Sequence, residues 1–579
     1  MTKIVTNRTT ILLVLLLSII AVICYVISLK VAYPLFQNTR LTEPLASLQA
    51  LFPLYYVAIV LIAAAGLLRL VSAINSRALD LWLLVLFALM LWYTPHALAG
   101  ATYQLDGLKF MGVANRIPEL LAREPVVSSM TGYGRHYPTS FIFHWICIKV
   151  IGVEPFFYLN ILFPLLYLCL FVLLFYLFIS GLFNNRIAFF SLLLGIPGLH
   201  YMQLHPSPHT IGSLLMVTAM VFMLKRGAAS IIALVTAVLA TVISHPISPL
   251  ILLIFLAIFF LTSLLRERGT RQATLVAVTV FCFLGWLLVR LFSIIPAPEA
   301  LTTWTSAKYG ADLLKSVLPD DFSRTTHYLL GVAFVYSPIY NLNKGIYFLY
   351  AAVAMLMMSW TVTVDLLRLR NIKTWVMKLG GLTQSQLFLL IAAPLLLILT
   401  VLLGEYELGE YGLIERSLTV IVLALSTLIA SVLLRLLSHA VLQKIKVWFY
   451  VILVVLLTLS FPIVSYSKDA YTSIPESEKS AVGFVEANQL ITVKSDQRVI
   501  IPSFQLAYWS WDIKPFRQYD VFIFQSTTFY YKSMRIDLSF TDNEFVRVRE
   551  AIVKGRDYNK LYNNPTTEVF LQKNSISSD

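Results

Sequence analysis

Residues 10–29 read TILLVLLLSIIAVICYVISL. At about 1.5 Å of helical rise per residue, this uncharged run reaches about 30 Å, the thickness of a bilayer's hydrocarbon core. Comparable runs recur at roughly 51–72, 79–99, 156–180, 187–203, 210–224, 228–243, 248–265, 273–295, 346–366, 386–403, 418–437 and 447–465, about thirteen in all. Hydrophobic residues make up 58% of the 579-residue chain and charged residues 13%. A soluble domain has roughly 45–50% and about 25%. Water-soluble globular, disordered and disulfide-scaffold classes are therefore excluded. The first run has no small-residue cleavage site and another span follows it, so it is expected to be retained as a span.

The formal net charge is +14, which raises the question of a nucleic-acid partner. Its distribution argues against one. Residues 466–579 hold 14 basic and 14 acidic side chains, so the excess lies in the short loops between apolar runs. Basic loops orient spans with the positive side in the cytoplasm. With Lys3 and Arg8 cytoplasmic, the turns returning to that side carry Arg77, Arg186, Lys225 with Arg226, Arg266 with Arg268 and Arg271, Arg368 with Arg370, Lys373 and Lys378, and Lys444 with Lys446. Every such turn is basic. An odd number of spans then leaves the C-terminal segment outside the cell membrane. The apolar run Thr139–Val153 contains His144 and Lys149 and is only about 15 residues long. Counting it as a span would invert every later loop, so it is expected to lie in the outer interface or to re-enter from outside. Cys24, Cys147, Cys169 and Cys282 sit in apolar runs without metal-ligand spacing.

This topology sorts the polar residues by side. Distinctive ones fall on the outer loops, about 30–50, 100–155, 204–209, 244–247, 296–345, 404–417 and 466–579, while ionisable residues within spans are scarce. In loop 100–155, Asp106 follows directly after a span. A carboxylate there can take a proton from a hydroxyl, hold a metal ion or bind a sugar hydroxyl, or simply end a helix among headgroups. Glu119, Arg135, His136 and Tyr137 in the same loop are candidates for acceptor or sugar contact. Two Pro-bounded outer turns carry His205 with His209, and His245. Their imidazoles can bind phosphate, ligate a metal or move protons, and equally can be interfacial turn residues. Arg416 stands at the outer mouth of a span, where its planar fork can grip a lipid phosphate or pair with Glu415 or Glu410. Loop 296–345 is long enough to be either a mobile cover or a structural cap. No divalent-metal motif with ligand spacing is present, so no metal ligand is assigned; no cofactor is established by the pattern, and a divalent metal stays an open alternative.

From Tyr466 the composition becomes that of a soluble domain. Helices are expected at Glu476–Asn488 and at Thr541–Ala551, where Thr541 and Glu544 have capping-box spacing. Strands are expected at Arg498–Ile501, Tyr519–Phe524 and Thr567–Gln572. The alternation suggests a small extracytoplasmic α/β domain without a phosphate loop or hydrolase elbow.

A polytopic α-helical chain with an acidic residue in its first large outer loop, Tyr137-Pro138 near that loop's end and Arg416 on a later outer loop resembles the GT-C superfamily of polyprenyl-phosphate-dependent membrane glycosyltransferases. So does an outer domain closing with Lys560-Leu561-Tyr562-Asn563-Asn564-Pro565 and Glu568-Val569-Phe570. The resemblance spans roughly residues 80–579 in layout. It implies two additional N-terminal helices in 1–78, a GT-C-like core in 79–465, an outer domain in 466–579, and a closing strand pair. It implies transfer of a sugar from a polyprenyl phosphate to a lipid, glycan or protein, with Asp106 as the acidic residue and Arg416, aided by His205, His209 and His245, on the donor phosphate. The chain departs from the common pattern in three places. Its acidic loop follows the third span. Asp106 is followed by Gly107 rather than a second carboxylate. Trp509-Ser510-Trp511-Asp512 only partly matches the tryptophan-tryptophan-aspartate signature of oligosaccharyltransferases.

The expected partners are a polyprenyl-phosphate-sugar donor and membrane lipids. A transporter or flippase of lipid-linked glycans, which would use polar residues inside the bundle, and a non-catalytic scaffold with an outer binding domain are the competing readings. The topology is testable directly. A cysteine placed at Asn488 should react with a membrane-impermeant thiol reagent in intact cells. Reaction only after lysis would place residues 466–579 inside.

Overall fold

A computed structural model of the chain describes residues 7–39, 51, 53–72, 74–99, 114, 138–153, 157–199, 204, 206–225, 227–245, 247–264, 413–436, 499–500, 521–525, 558–564 and 567–572. These form a mostly helical protein: α1 (Asn7–Thr39), α2 (Pro53–Val71), α3 (Arg77–Ala88), α4 (Thr94–Ala99), α5 (Pro138–Trp145), α6 (Phe163–Leu182), α7 (Asn185–Gly198), α8 (Pro208–Met223), α9 (Ala228–Val242), α10 (Ile247–Leu264) and α11 (Leu413–Leu436). Short π-helical turns at Leu89–Tyr93, Ile146–Val150 and Tyr158–Leu162 link α3 to α4, extend α5 and precede α6. Among the described residues, four helices are long and apolar enough to cross a membrane: Arg8–Leu35, Pro53–Val71, Arg77–Leu98 and Tyr158–Leu182. Pro208–Met223, Ala228–Val242 and Val420–Leu434 are shorter apolar helices. The expected spans at 273–295, 346–366, 386–403 and 447–465 lie outside the described residues, as does most of loop 100–155 and all of loop 296–345.

Helix starts follow from local chemistry. Ser76 Oγ accepts from Leu79 N (3.3 Å), Asn184 Oδ1 from Ile187 N (2.9 Å) and Ser207 Oγ from Thr210 N (3.1 Å). Each satisfies a donor that the helix itself cannot. Pro208 at the start of α8 lacks the N–H that would be orphaned there. Gly227 precedes α9 at φ +115°, a conformation that side chains with a Cβ resist.

Side-chain bonds fix helix direction. Trp82 Nε1 donates to Ser18 Oγ (3.2 Å) and Tyr25 Oη meets Thr94 Oγ1 (3.0 Å), so α1 runs parallel to α3–α4. Tyr55 Oη donates to Met90 O (3.0 Å) and Arg69 Nη2 to Asp80 Oδ2 (3.0 Å), so α2 is antiparallel to α3. Tyr176 Oη donates to Asp80 Oδ2 (2.8 Å), while Phe171 packs edge-on to Trp92 at 5.7 Å, so α6 is antiparallel to α3. Arg186 Nη2 donates to Leu70 O (3.0 Å), and Trp92 Nε1 to Ile196 O (3.2 Å), which sets α7 against α2. The bundle therefore has two ends. One holds the tight turns with Arg77, Arg186 and Lys225. The other holds Ala99, residues 138–153, Tyr158, Gly198, Ser207 and His245.

Two features of the bundle were not expected. Arg69 and Asp80 are both buried, at 2% and 0% exposure, and form an ion pair in the α2–α3 hairpin. Arg69 also lies over the Phe189 ring, 5.6 Å from its centroid. The pair is anchored near the tight-turn end, and Tyr176 ties it to α6. The second feature is the π turn at Leu89–Tyr93. Thr94 Oγ1 gives its proton to Met90 O at 2.6 Å, so Tyr25 is the donor in its bond to Thr94. Met90 O thus accepts from two hydroxyls.

Close helix approach is set by small residues, as in membrane bundles generally. A Cβ at Gly195 would lie 2.9 Å from Leu423 Cδ2, which brings α7 and α11 into contact. The helix at Pro138–Trp145 and its π extension to Val150 cover thirteen residues, about 20 Å and short of the bilayer core. Ile142, Ile146 and Val150 form an exposed stripe, while Ser140, Phe141, His144 and Cys147 are buried.

The chain also forms a four-stranded sheet of order β1-β2-β4-β3, with β1 (Val499–Ile500), β2 (Val521–Gln525), β3 (Tyr558–Asn564) and β4 (Thr567–Gln572). β1 and β2 are parallel, so a crossover connection must join them. β2–β4 and β3–β4 are antiparallel, with Ile523 opposite Val569 and Tyr558 opposite Gln572. The β3–β4 register shifts between Lys560 and Tyr562. Strands occur at the three places the sequence pattern indicates, and residues 560–564 and 568–570 fall on the paired strands β3 and β4. The helices expected at Glu476–Asn488 and Thr541–Ala551 lie outside the described residues.

Removing one member of a buried ion pair leaves an uncompensated charge and costs about 3–5 kcal/mol. Asp80→Asn should therefore lower the thermal stability of the purified protein far more than Tyr176→Phe. The latter removes a single interhelical hydrogen bond, about 0.5–2 kcal/mol. Equal melting temperatures for Asp80→Asn and the parent would show that the pair does not hold the hairpin.

Candidate functional site

The site is built where α8 begins and where α9 turns into α10. Ser207 and Pro208 start α8, which places His209 in its first turn. After α9, Ser244 N bonds to Thr241 O (3.2 Å), closing a tight turn that delivers His245 just before α10. The two imidazoles meet, with ring centroids 5.0 Å apart and planes tilted by 59°. His245 is fully buried and His209 half-buried. Ser213 Oγ stands 3.5 Å from the His209 ring nitrogens and Ser248 Oγ 3.5 Å from His245 Nδ1, at the outer limit of hydrogen bonding. Gly212 permits the approach, because a Cβ there would lie 2.8 Å from Ser248 Oγ and 3.0 Å from His245 Cβ. Ser207, Thr210, Ser244 and Ser248 add buried hydroxyls around the pair. Imidazoles and hydroxyls together supply donors that match phosphate or sugar oxygens.

A second polar cluster lies alongside. His144 of α5 is fully buried, with Nδ1 2.7 Å from Tyr158 Oη and Nε2 3.1 Å from Ser140 Oγ. Phe143 and Phe163 pack edge-on to its ring at 5.7 and 5.2 Å. α5 also touches α8. His96, buried in α4, stacks on Tyr93 with ring centroids 6.0 Å apart. All four histidines among the described residues thus gather at the end opposite Arg77, Arg186 and Lys225.

Of the residues proposed from sequence, the structure brings His209 and His245 together. Arg416 lies in the first turn of α11, whose backbone runs from Leu413. Leu423 packs by Gly195 near the end of α7. Asp106, Glu119, Arg135, His136, Tyr137 and His205 lie outside the described residues. The sequence reading did not single out His144, Ser140 and Tyr158 as a unit. The available signal was the four-residue spacing of Ser140 and His144, which puts both on one helix face. Among the described residues no group of three or more His, Cys, Asp or Glu side chains could hold a metal ion.

No protein-family model matches the chain, and no curated protein matches it at significance.

Gly212→Ala tests the packing that joins the histidines. The added methyl must push α8 away from Ser248 and His245, a cost of about 1–3 kcal/mol for overpacking. A clear drop in melting temperature is expected, with little change for Ser213→Ala. If Gly212→Ala melts like the parent, the close α8–α10 approach is not real.

Proposed function

We propose that the chain is an integral-membrane glycosyltransferase that moves a sugar from a polyprenyl-phosphate donor to a lipid, glycan or protein hydroxyl at the outer membrane face. The observation that carries this reading is the meeting of His209 and His245 at the bundle end opposite the basic turns. By the positive-inside rule the basic end faces the cytoplasm, so the histidine end faces outward. In this reading the chain crosses the membrane thirteen times, has a cytoplasmic N-terminus and carries residues 466–579 outside. The GT-C resemblance supplies the reaction class. The arrangement suits a lipid whose phosphate sits at the headgroup level while its hydrocarbon stays among the helices.

The chemistry divides among few groups. Asp106 takes the proton from the acceptor hydroxyl. The acceptor oxygen attacks the anomeric carbon, and the bond from that carbon to the phosphate oxygen breaks with inversion. The departing lipid phosphate takes up the negative charge, and Arg416, His209 and His245, with His205, hold it. This scheme requires no soluble nucleotide sugar.

A transporter or flippase of lipid-linked glycans is the second reading, favoured by one observation. The Arg69–Asp80 pair lies inside apolar helices, where ionisable residues often mark a path for ions or substrates. Its closure by Tyr176 argues for a structural lock instead.

The deciding assay is transfer of labelled sugar from a polyprenyl-phosphate donor presented at the outer face of proteoliposomes. Asp106→Asn should lower kcat by roughly 10²–10⁴-fold, the usual contribution of a general base, with donor KM near normal. Arg416→Ala should raise donor KM by the equivalent of about 1.5–3 kcal/mol, and lysine should restore only part. Donor translocation without transfer would favour the flippase reading.

A further inference from the structure

The Ser140–His144–Tyr158 cluster takes no part in the chemistry above, yet it is completely buried and bonded at both ring nitrogens. His144 hangs between two helices, with Nδ1 2.7 Å from Tyr158 Oη across a fourteen-residue separation and Nε2 3.1 Å from Ser140 Oγ one turn back on its own helix. Both partners are hydroxyls, each able to donate or accept, so either neutral tautomer satisfies the ring. Phe143, Phe163 and Tyr158 surround it with aromatic faces and edges. The opposite face of the same helix is the exposed apolar stripe Ile142, Ile146 and Val150. The inward face is therefore held to Tyr158 through His144, with the Cys147 thiol bonding the same hydroxyl, while the outward face carries the apolar stripe and the exposed Lys149 and no bond to another helix among those described.

This helix begins at Pro138, directly after Arg135, His136 and Tyr137. Whatever sets the helix sets the starting point of that segment. α5 also touches α8, the helix that carries His209.

We propose that His144 is a positioning residue: its bonds to Tyr158 and Ser140 lock the helix at 138–150 onto the π turn that precedes α6 and so fix Pro138, where the chain leaves the first outer loop. The part of this inference that concerns the reaction rests on the glycosyltransferase reading, whereas the lock itself does not. A displacement of about 1 Å in a reacting group can cost about 10²-fold in rate, so a loosened helix acts on kcat. The donor phosphate, held elsewhere, keeps its affinity.

Cys147 reports on the lock. It is buried on the same face, one turn beyond His144, and its thiol also bonds Tyr158, so His144→Ala is the variant that leaves the reporter's own partner in place. In a protein with serine at Cys24, Cys169 and Cys282, N-ethylmaleimide should alkylate Cys147 slowly. Tyr158→Phe and His144→Ala should each speed alkylation by about tenfold or more. His144→Asn, whose amide stands near the position of Nδ1, should restore most of the protection. In the transfer assay the same two loosening variants should lower kcat by about 10²-fold with donor KM within about twofold, and His144→Asn should recover most of the rate. Unchanged alkylation in both Tyr158→Phe and His144→Ala overturns the lock, whatever the protein's activity. Faster alkylation with an unchanged kcat overturns the positioning role. If the parent protein transfers no sugar, the glycosyltransferase reading fails, and the alkylation series still decides the lock.

Discussion

Hydrocarbon offers no hydrogen bonds, so every polar group carried into the bilayer must find its partner within the protein. This constraint organises the described bundle. Arg69 enters with Asp80 already at its side, and Tyr176 donates to the same carboxylate from a third helix. Met90 O, in a π turn, accepts from Tyr55 and Thr94, and Tyr25 completes that chain from α1. His144 is bonded through both ring nitrogens. Apolar contact alone discriminates weakly among helix arrangements in lipid, because a lipid tail is as good a neighbour as leucine. The polar contacts are specific, since a one-turn slip of α1, α2, α3 or α6 would strand a donor. They set helix depth and rotation, and the surrounding aromatic and aliphatic side chains fill the space that remains.

The same constraint explains why the two ends differ. At the tight-turn end, short caps from Ser76 and Asn184 and the left-handed Gly227 return the chain within a few residues, leaving cations at the surface. At the other end the polar residues are histidines and hydroxyls, partly or wholly buried. A cation at the membrane surface needs only water and lipid headgroups. An imidazole packed beside a second imidazole needs helices held to within an ångström, and Gly212 provides that closeness. The order at the histidine end therefore depends on the rigidity of the helices beneath it.

The membrane character was legible in the sequence because it depends on long uncharged runs, a property of composition over about twenty residues. The grouping of Arg77, Arg186 and Lys225 at one end was also legible, since alternation of direction follows from counting spans. The Arg69–Asp80 pair was not recognised, because each charge lies near the end of an otherwise apolar run and reads singly as an interfacial anchor. Only the hairpin geometry shows that eleven residues of separation, folded about the turn before Arg77, put the two at the same depth. The meeting of His209 and His245 depends on a tertiary approach of helices across a glycine, which no local pattern encodes. The π turns are likewise products of packing rather than of any residue preference. Strand positions in the C-terminal segment could be read from β-branched and aromatic runs, but the order β1-β2-β4-β3 could not, because pairing joins residues far apart in the chain.

In the glycosyltransferase reading proposed above, the His209–His245 pair answers to a phosphate. The two imidazoles, with the Ser213 and Ser248 hydroxyls near them, carry groups able to donate to the oxygens of a tetrahedral anion. His209 is half-buried and can meet a ligand arriving from the surface, whereas His245 lies beneath it and cannot reach solvent without that helix moving. In that reading His209 touches the phosphate first, and His245 joins it in holding the charge once the helix moves. A headgroup phosphate approaching along the membrane surface would meet the two in that order, with its hydrocarbon tail still in the bilayer.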